Sequence, residues 1–387
     1  MRSTENEWIV LPLILALFSC PHLEASSQFP VSAELAGQRV ETTVDSSLAV
    51  YYLEHYVSGN RSDTNYDALL DREIEALNGQ PLDADLLGAM SRRFSTDLAT
   101  AYFVARLYES ARNRQAQDSF HACLSRLKAS GRRPADGVPW DYRSYLLVFV
   151  PGYAYRKDTT TGADFARQRK LMTEEGFRTS FVETDELGTV EDNAKIVGQE
   201  ITRLAAQENK IILISASKAG PEVAQALGEV IQAEAVSHVR GWISVGGLLR
   251  GSPYADQALI WPRRWFAGIV FAIKGLHPSV IRDLSTQVRR PAFARVRLPA
   301  GILMLQYVGV PFSGQVPKAT RRRYEALRSL GPNDGLTLLA DELVPGGIAV
   351  TDAGLDHYYR DPEIDLKTAA LALVVLDMLG NTEVDAN

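Results

Sequence analysis

The sequence predicts an α/β protein: a doubly wound, mostly parallel sheet, preceded by a helical N-terminal region and interrupted by a cap-like insertion. Three observations predict it. Between residues 144 and 245, short continuous apolar runs alternate with helical stretches, as strands buried on both faces alternate with their crossover helices. Between residues 46 and 129, apolar residues recur at helical spacing with almost no strand pattern. The composition is globular, 46% hydrophobic and 23% charged over 387 residues, with length for one large domain plus additions, or for two domains.

The N-terminus reads as a targeting segment. Residues 1–25 form a signal peptide in this reading. The apolar run Trp8 to Phe18, interrupted by Pro12, is too short to span a membrane comfortably and has the length of a signal h-region. Leu17-Phe18-Ser19-Cys20 resembles a bacterial lipobox, which implies lipidation at Cys20. The expectation is export to the cell envelope, with membrane association through the N-terminus. Residues 26–45 read as a polar linker. The chain has two cysteines. With Cys20 removed or lipidated, Cys123 has no partner, so no disulfide framework exists and Cys123 reads as a buried structural thiol.

The helical region follows at 46–130, with helices near 48–53, 67–77, 83–90, 96–111 and 115–129, and Ser46 or Ser47 capping the first. His55 and His121 read as satisfied histidines rather than ligands. Gly, Pro and Arg crowd residues 131–140, which mark a boundary. An α/β domain then runs over 140–387. Strands are expected at 144–150, 178–183, 211–214 and 239–245, with helices at 162–175, 189–207 and 221–235 between and after them. That alternation implies right-handed crossovers. The insertion, at about 251–300, carries Trp261, Trp265, Phe266, Ile269, Phe271 and Ile273 on expected helices. Strand sequence resumes at 302–308 and 348–351, and a last helix covers 366–379.

The chemistry centres on the stretch Lys210 to Pro221. A buried strand there ends in a turn bearing Ser217, and a helix follows. This is the layout of a nucleophile elbow, G-x-S-x-G, with Ser215 and Ala219 in the glycine positions. A serine hydroxyl needs a base within hydrogen-bond reach, and the base needs an orienting carboxylate. Asp334, in Gly331-Pro332-Asn333-Asp334-Gly335, and His357, just after the last strand, supply them in chain order. Asp341, Asp352 and Asp356 are less well placed. The developing oxyanion needs donors, and the N–H groups of Lys218 and Tyr153 are expected to provide them, the latter from the Pro151-Gly152 loop. The Lys218 side chain is expected to leave in another direction rather than serve as a base. No His/Cys/Glu cluster has metal-ligand spacing and no G-x-G-x-x-G opens a helix, so no metal or dinucleotide cofactor is implied. The net charge of -6 gives no field for nucleic acid, and the clusters Arg289-Arg290 and Arg321-Arg322-Arg323 read as solvated faces or helix ends.

With these residues assembled, the chain over roughly 145–380 resembles the α/β-hydrolase superfamily. The run Val245 to Asp256, with its Gly251-Ser252-Pro253, is similar to the stretch after the sixth strand in bacterial lipases. Asn333-Asp334-Gly335 resembles their acid loop, and Gly354-Leu355-Asp356-His357 their histidine loop. Pro151 stands where the family often has a histidine. The resemblance implies Ser217 as nucleophile, His357 as general base and acid, Asp334 as its partner, and Tyr153 and Lys218 as oxyanion hole. The implied substrate is a small-molecule or lipid carboxylic ester. An amidase, peptidase or thioesterase would use the same triad. A non-catalytic scaffold that binds a partner through the helical region is the rival expectation.

Overall fold

The computed structural model describes residues 28–130, 140–157, 162–260 and 278–385. The signal segment, Cys20 and the aromatic stretch Trp261 to Ile273 lie outside the described residues.

The expected linker is a β-hairpin. Strand β1 (Phe29–Leu35) pairs antiparallel with β2 (Gln38–Val44). Ala36 and Gly37 between them both take positive φ, 51° and 72°. That is the requirement of a two-residue hairpin turn whose twist matches the strands. Val31, Leu35, Val40 and Val44 are buried on one face, while Glu34, Arg39 and Glu41 face water. The helices follow as expected: α1 (Ser47–Tyr51), α2 (Thr64–Leu77), α3 (Ala84–Arg93), α4 (Thr96–Glu109) and α5 (Ala111–Ala129). Side chains of Ser46, Asp63, Asp83 and Ser95 accept first-turn N–H groups of α1 to α4, satisfying donors that the helix leaves open.

The main sheet has six parallel strands: β3 (Leu146–Val150), β4 (Arg178–Phe181), β5 (Ile211–Ala216), β6 (Val239–Val245), β7 (Leu303–Val310) and β8 (Ile348–Ala353). They lie in the order β4-β3-β5-β6-β7-β8. The intervening helices are α6 (Ala166–Glu174), α7 (Val190–Ala205), α8 (Ala219–Gln225), α9 (Ala233–Val236), α10 (Pro253–Leu259), α11 (Pro278–Asp283), α12 (Thr286–Arg295) and α13 (Lys318–Leu327), with α14 (Ile364–Asp385) last. The helix expected at 221–235 is divided: α8 ends in a π turn at Ala226–Val230 before α9.

Side-chain alternation divides the sheet residues between two layers. Leu147, Phe149, Ile214, Val245 and Tyr307 pack with α5, α6 and α14. Val148, Leu213 and Trp242 pack with α7 and α8. Near the β7–β8 edge, Val308 and Val310 share a core with Val40, Leu53, Leu98 and Phe103 of the N-terminal region. That region is therefore a layer of the sheet's own packing. It also closes the outer edge of β8. The N–H groups of Ala349, Thr351 and Ala353 donate to Asn113 (3.0 Å), Gln117 (2.8 Å) and Gln38 (2.8 Å). An exposed sheet edge is otherwise a template for pairing with another chain.

Candidate active site

The turn after β5 holds Ser217 at φ 54°, the left-handed region that disfavours a β-carbon. Its N–H donates to the Val245 carbonyl (2.9 Å), and its own carbonyl accepts from Gly220 (2.9 Å) and Leu248 (3.0 Å). These bonds fix the corner to the end of β6. The residues in the two motif-glycine positions, Ser215 and Ala219, are buried, and the Ser215 hydroxyl accepts the Trp242 indole N–H at 2.9 Å. The tight contact falls one residue later. A β-carbon on Gly220 would lie 2.8 Å from the Gly247 Cα. Helix α8 approaches the segment after β6 this closely because residue 220 is glycine; a β-carbon on Gly247 would be in ordinary contact with Gly220, at 3.6 Å, and would instead crowd the Ser244 hydroxyl.

Asp334 follows β7 and α13, and His357 follows β8. The structure brings both to Ser217. The Ser217 Oγ is 2.9 Å from His357 Nε2, and His357 Nδ1 is 2.6 Å from Asp334 Oδ2. With Nδ1 donating to the carboxylate, Nε2 is left to accept the serine proton. Asp334 Oδ1 accepts the N–H groups of Leu336 and Thr337, both at 2.8 Å, and the His357 N–H donates to the Asp334 carbonyl at 2.9 Å. Asp334 and His357 are buried. The rival carboxylates are engaged elsewhere: Asp341 with Arg290, Asp352 with Lys367, and Asp356 with Thr320.

Neither the Lys218 nor the Tyr153 N–H is bonded to a backbone acceptor among the described residues. The Pro151-Gly152 loop runs beside the serine: a β-carbon on Gly152 would lie 3.7 Å from Ser217 Cβ. The Lys218 side chain is buried in an ion pair with Glu222, another buried residue, which occupies the ammonium away from any role as a base. Sequence reasoning had no signal for that pair beyond its i, i+4 spacing.

Other singled-out residues have structural partners. Burial pushes the Cys123 thiol up, as expected of an unreactive buried cysteine. His121 bonds Gln117 at 3.0 Å. Arg289 pairs with Asp283, and Arg323 lies over the rings of Tyr254 and Tyr358.

No family model matches the sequence, and no curated protein matches it. Solved structures do. The chain is similar to a metagenomic carboxyl esterase, at 19% identity and a TM-score of 0.49, over 62% of this chain and 76% of that one. It is similar to a mature-form lipase of Bacillus licheniformis, at 19% identity and a TM-score of 0.47, over 60% of this chain and 91% of that one. In the chain itself, the strand order, the serine corner after β5, the Asp loop after β7 and the His loop after β8 have the α/β-hydrolase arrangement that the resemblance implied.

Proposed function

We propose that the protein is a serine hydrolase that cleaves a carboxylic ester. The observation that carries this reading is the hydrogen-bonded line Ser217–His357–Asp334, with the serine on a left-handed corner. In this mechanism the Ser217 Oγ attacks the ester carbonyl while His357 Nε2 takes its proton. Asp334 holds the imidazole tautomer and stabilises the imidazolium. The N–H groups of Lys218 and Tyr153 receive the oxyanion. His357 then returns the proton to the leaving alcohol, and an acyl-enzyme remains on Ser217. Water, deprotonated by His357, releases the acid. Export with a lipidated Cys20 belongs to the same proposal and rests on the sequence alone; loss of palmitate labelling in Cys20→Ser is its test.

A fluorophosphonate probe tests the nucleophile. Wild type should be labelled and Ser217→Ala should not. Equal labelling of the two would sink the reading. For hydrolysis of p-nitrophenyl butyrate, His357→Ala and Asp334→Asn should each lower kcat by about 10³-fold or more.

A further inference from the structure

We infer that the buried chain of side chains Lys218–Glu222–Asn193 is a positioning network that sets the distance between the two amides of the oxyanion hole. The inference rests on the serine-hydrolase reading and deepens it.

Lys218 has its side chain 2% exposed and Glu222 1%, and the Lys218 Nζ donates to Glu222 Oε1. Such i, i+4 pairs are common on helix surfaces. Buried, each charge carries a desolvation cost that makes the pair a poor source of stability. Glu222 Oε1 accepts a second bond, from Asn193 Nδ2 at 2.8 Å. Asn193 is fully buried in the first turn of α7. Its Nδ2 also donates to the Asp185 carbonyl (2.8 Å), and its Oδ1 accepts the Asp185 N–H (3.0 Å). It therefore clamps both backbone groups of one residue in the loop after β4.

That loop grips the Tyr153 segment. The Glu186 carbonyl accepts the Ala154 N–H (3.4 Å), and its Oε2 accepts those of Arg156 (3.0 Å) and Lys157 (3.1 Å). The Thr184 carbonyl accepts the Tyr155 hydroxyl (3.0 Å). A line of direct bonds, continued along residues 184–186, therefore joins the residue donating one oxyanion amide to the loop donating the other. It runs through α8 and α7. Oxyanion donors act only within about 2.7–3.1 Å of the developing charge. A displacement of about 1 Å costs on the order of a hundredfold in rate. A network of this kind contributes to kcat through geometry, with no contact to substrate.

Asn193→Ala cuts the line at its middle and touches no site residue. The expected result is a fall in kcat for p-nitrophenyl butyrate of about tenfold to a hundredfold with KM within about twofold. Affinity for an alkyl trifluoromethyl ketone, whose hemiketal oxygen fills the hole, should fall by a similar factor. The double variant Lys218→Met/Glu222→Leu removes both charges together and leaves neither unpaired; it decides the matter if Asn193→Ala does not fold. It should unfold at or above the wild-type temperature yet show the same loss of kcat per titrated active site. Variants that fold and keep kcat and ketone affinity within about twofold of wild type overturn the network. A wild type that neither hydrolyses the ester nor binds the ketone overturns the serine-hydrolase reading instead.

Discussion

At Ser217 the backbone sits at φ 54°, between the small Ala216 and the buried, ion-paired Lys218. The serine itself was legible in the sequence because a buried strand, a small-residue turn and a helix start must coincide there. The glycine requirement was not legible at its true place. The motif puts it at 215 and 219, whereas the crowding is between Gly220 and Gly247, and a contact between two chain segments leaves no local signature. Gly220→Ala should therefore be costly. The added methyl meets backbone, which cannot rotate away. A loss of about 1–3 kcal/mol in urea unfolding is expected, with kcat lowered as the corner shifts. Asp334 and His357 were legible through chain order, since each loop follows its strand at one end of the sheet.

Among the elements, the strands of the main sheet were read to within a few residues, most directly β3 and β5, whose burial on both faces leaves unbroken apolar runs, whereas edge strand β4 carries no such run. The hairpin β1–β2 was missed. Its apolar residues do alternate with polar ones, as in a half-buried strand, but its turn is Ala-Gly rather than Asn-Gly, and its buried face is completed in part by residues more than two hundred positions away. The division of α8 from α9 by a π turn had no signal either, since 221–235 has continuous helical spacing. Helix α5 shows how a helix can do the work of a strand. Asn113 and Gln117, one turn apart, reach the outer edge of β8, and Gln117 both accepts the Thr351 N–H (2.8 Å) and donates to its carbonyl (3.0 Å). Gln117→Leu leaves the N–H of buried Thr351 unpaired, while its carbonyl keeps the bond from Gln38 Nε2 (3.0 Å). It should destabilise the fold by about 1–3 kcal/mol in urea unfolding, with kcat of the folded fraction unchanged.

For the whole molecule, a buried polar knot joins the N-terminal region to the segment between β7 and the acid loop. Asp97 accepts the Asp45 N–H (2.7 Å), the Ser313 N–H (2.9 Å) and hydroxyl (2.5 Å), and the Tyr324 hydroxyl (3.3 Å), while Arg328 pairs with Asp45 (2.6 Å). Burial first, then the Asp45 charge, pushes the Asp97 carboxyl up to about 7, against the pull of its Ser313 bonds. A folded-state value above the unfolded one, near about 3.9, means that the folded protein holds this proton more tightly. Its contribution to stability is full below about pH 4 and is lost as pH rises through about 7. Urea unfolding across that range should show the fall, on the order of a few kcal/mol. Asp97→Asn should remove that part of the slope; an unchanged slope would refute the assignment.

The closed edge of β8 also decides how copies of this chain can meet. Its three outward N–H groups are held by side chains of the same molecule, so an incoming strand finds no rungs there. Any association that extends the sheet has to begin at the opposite side, on β4. Crosslinks between copies, if they form through strands, should map to Arg178–Phe181.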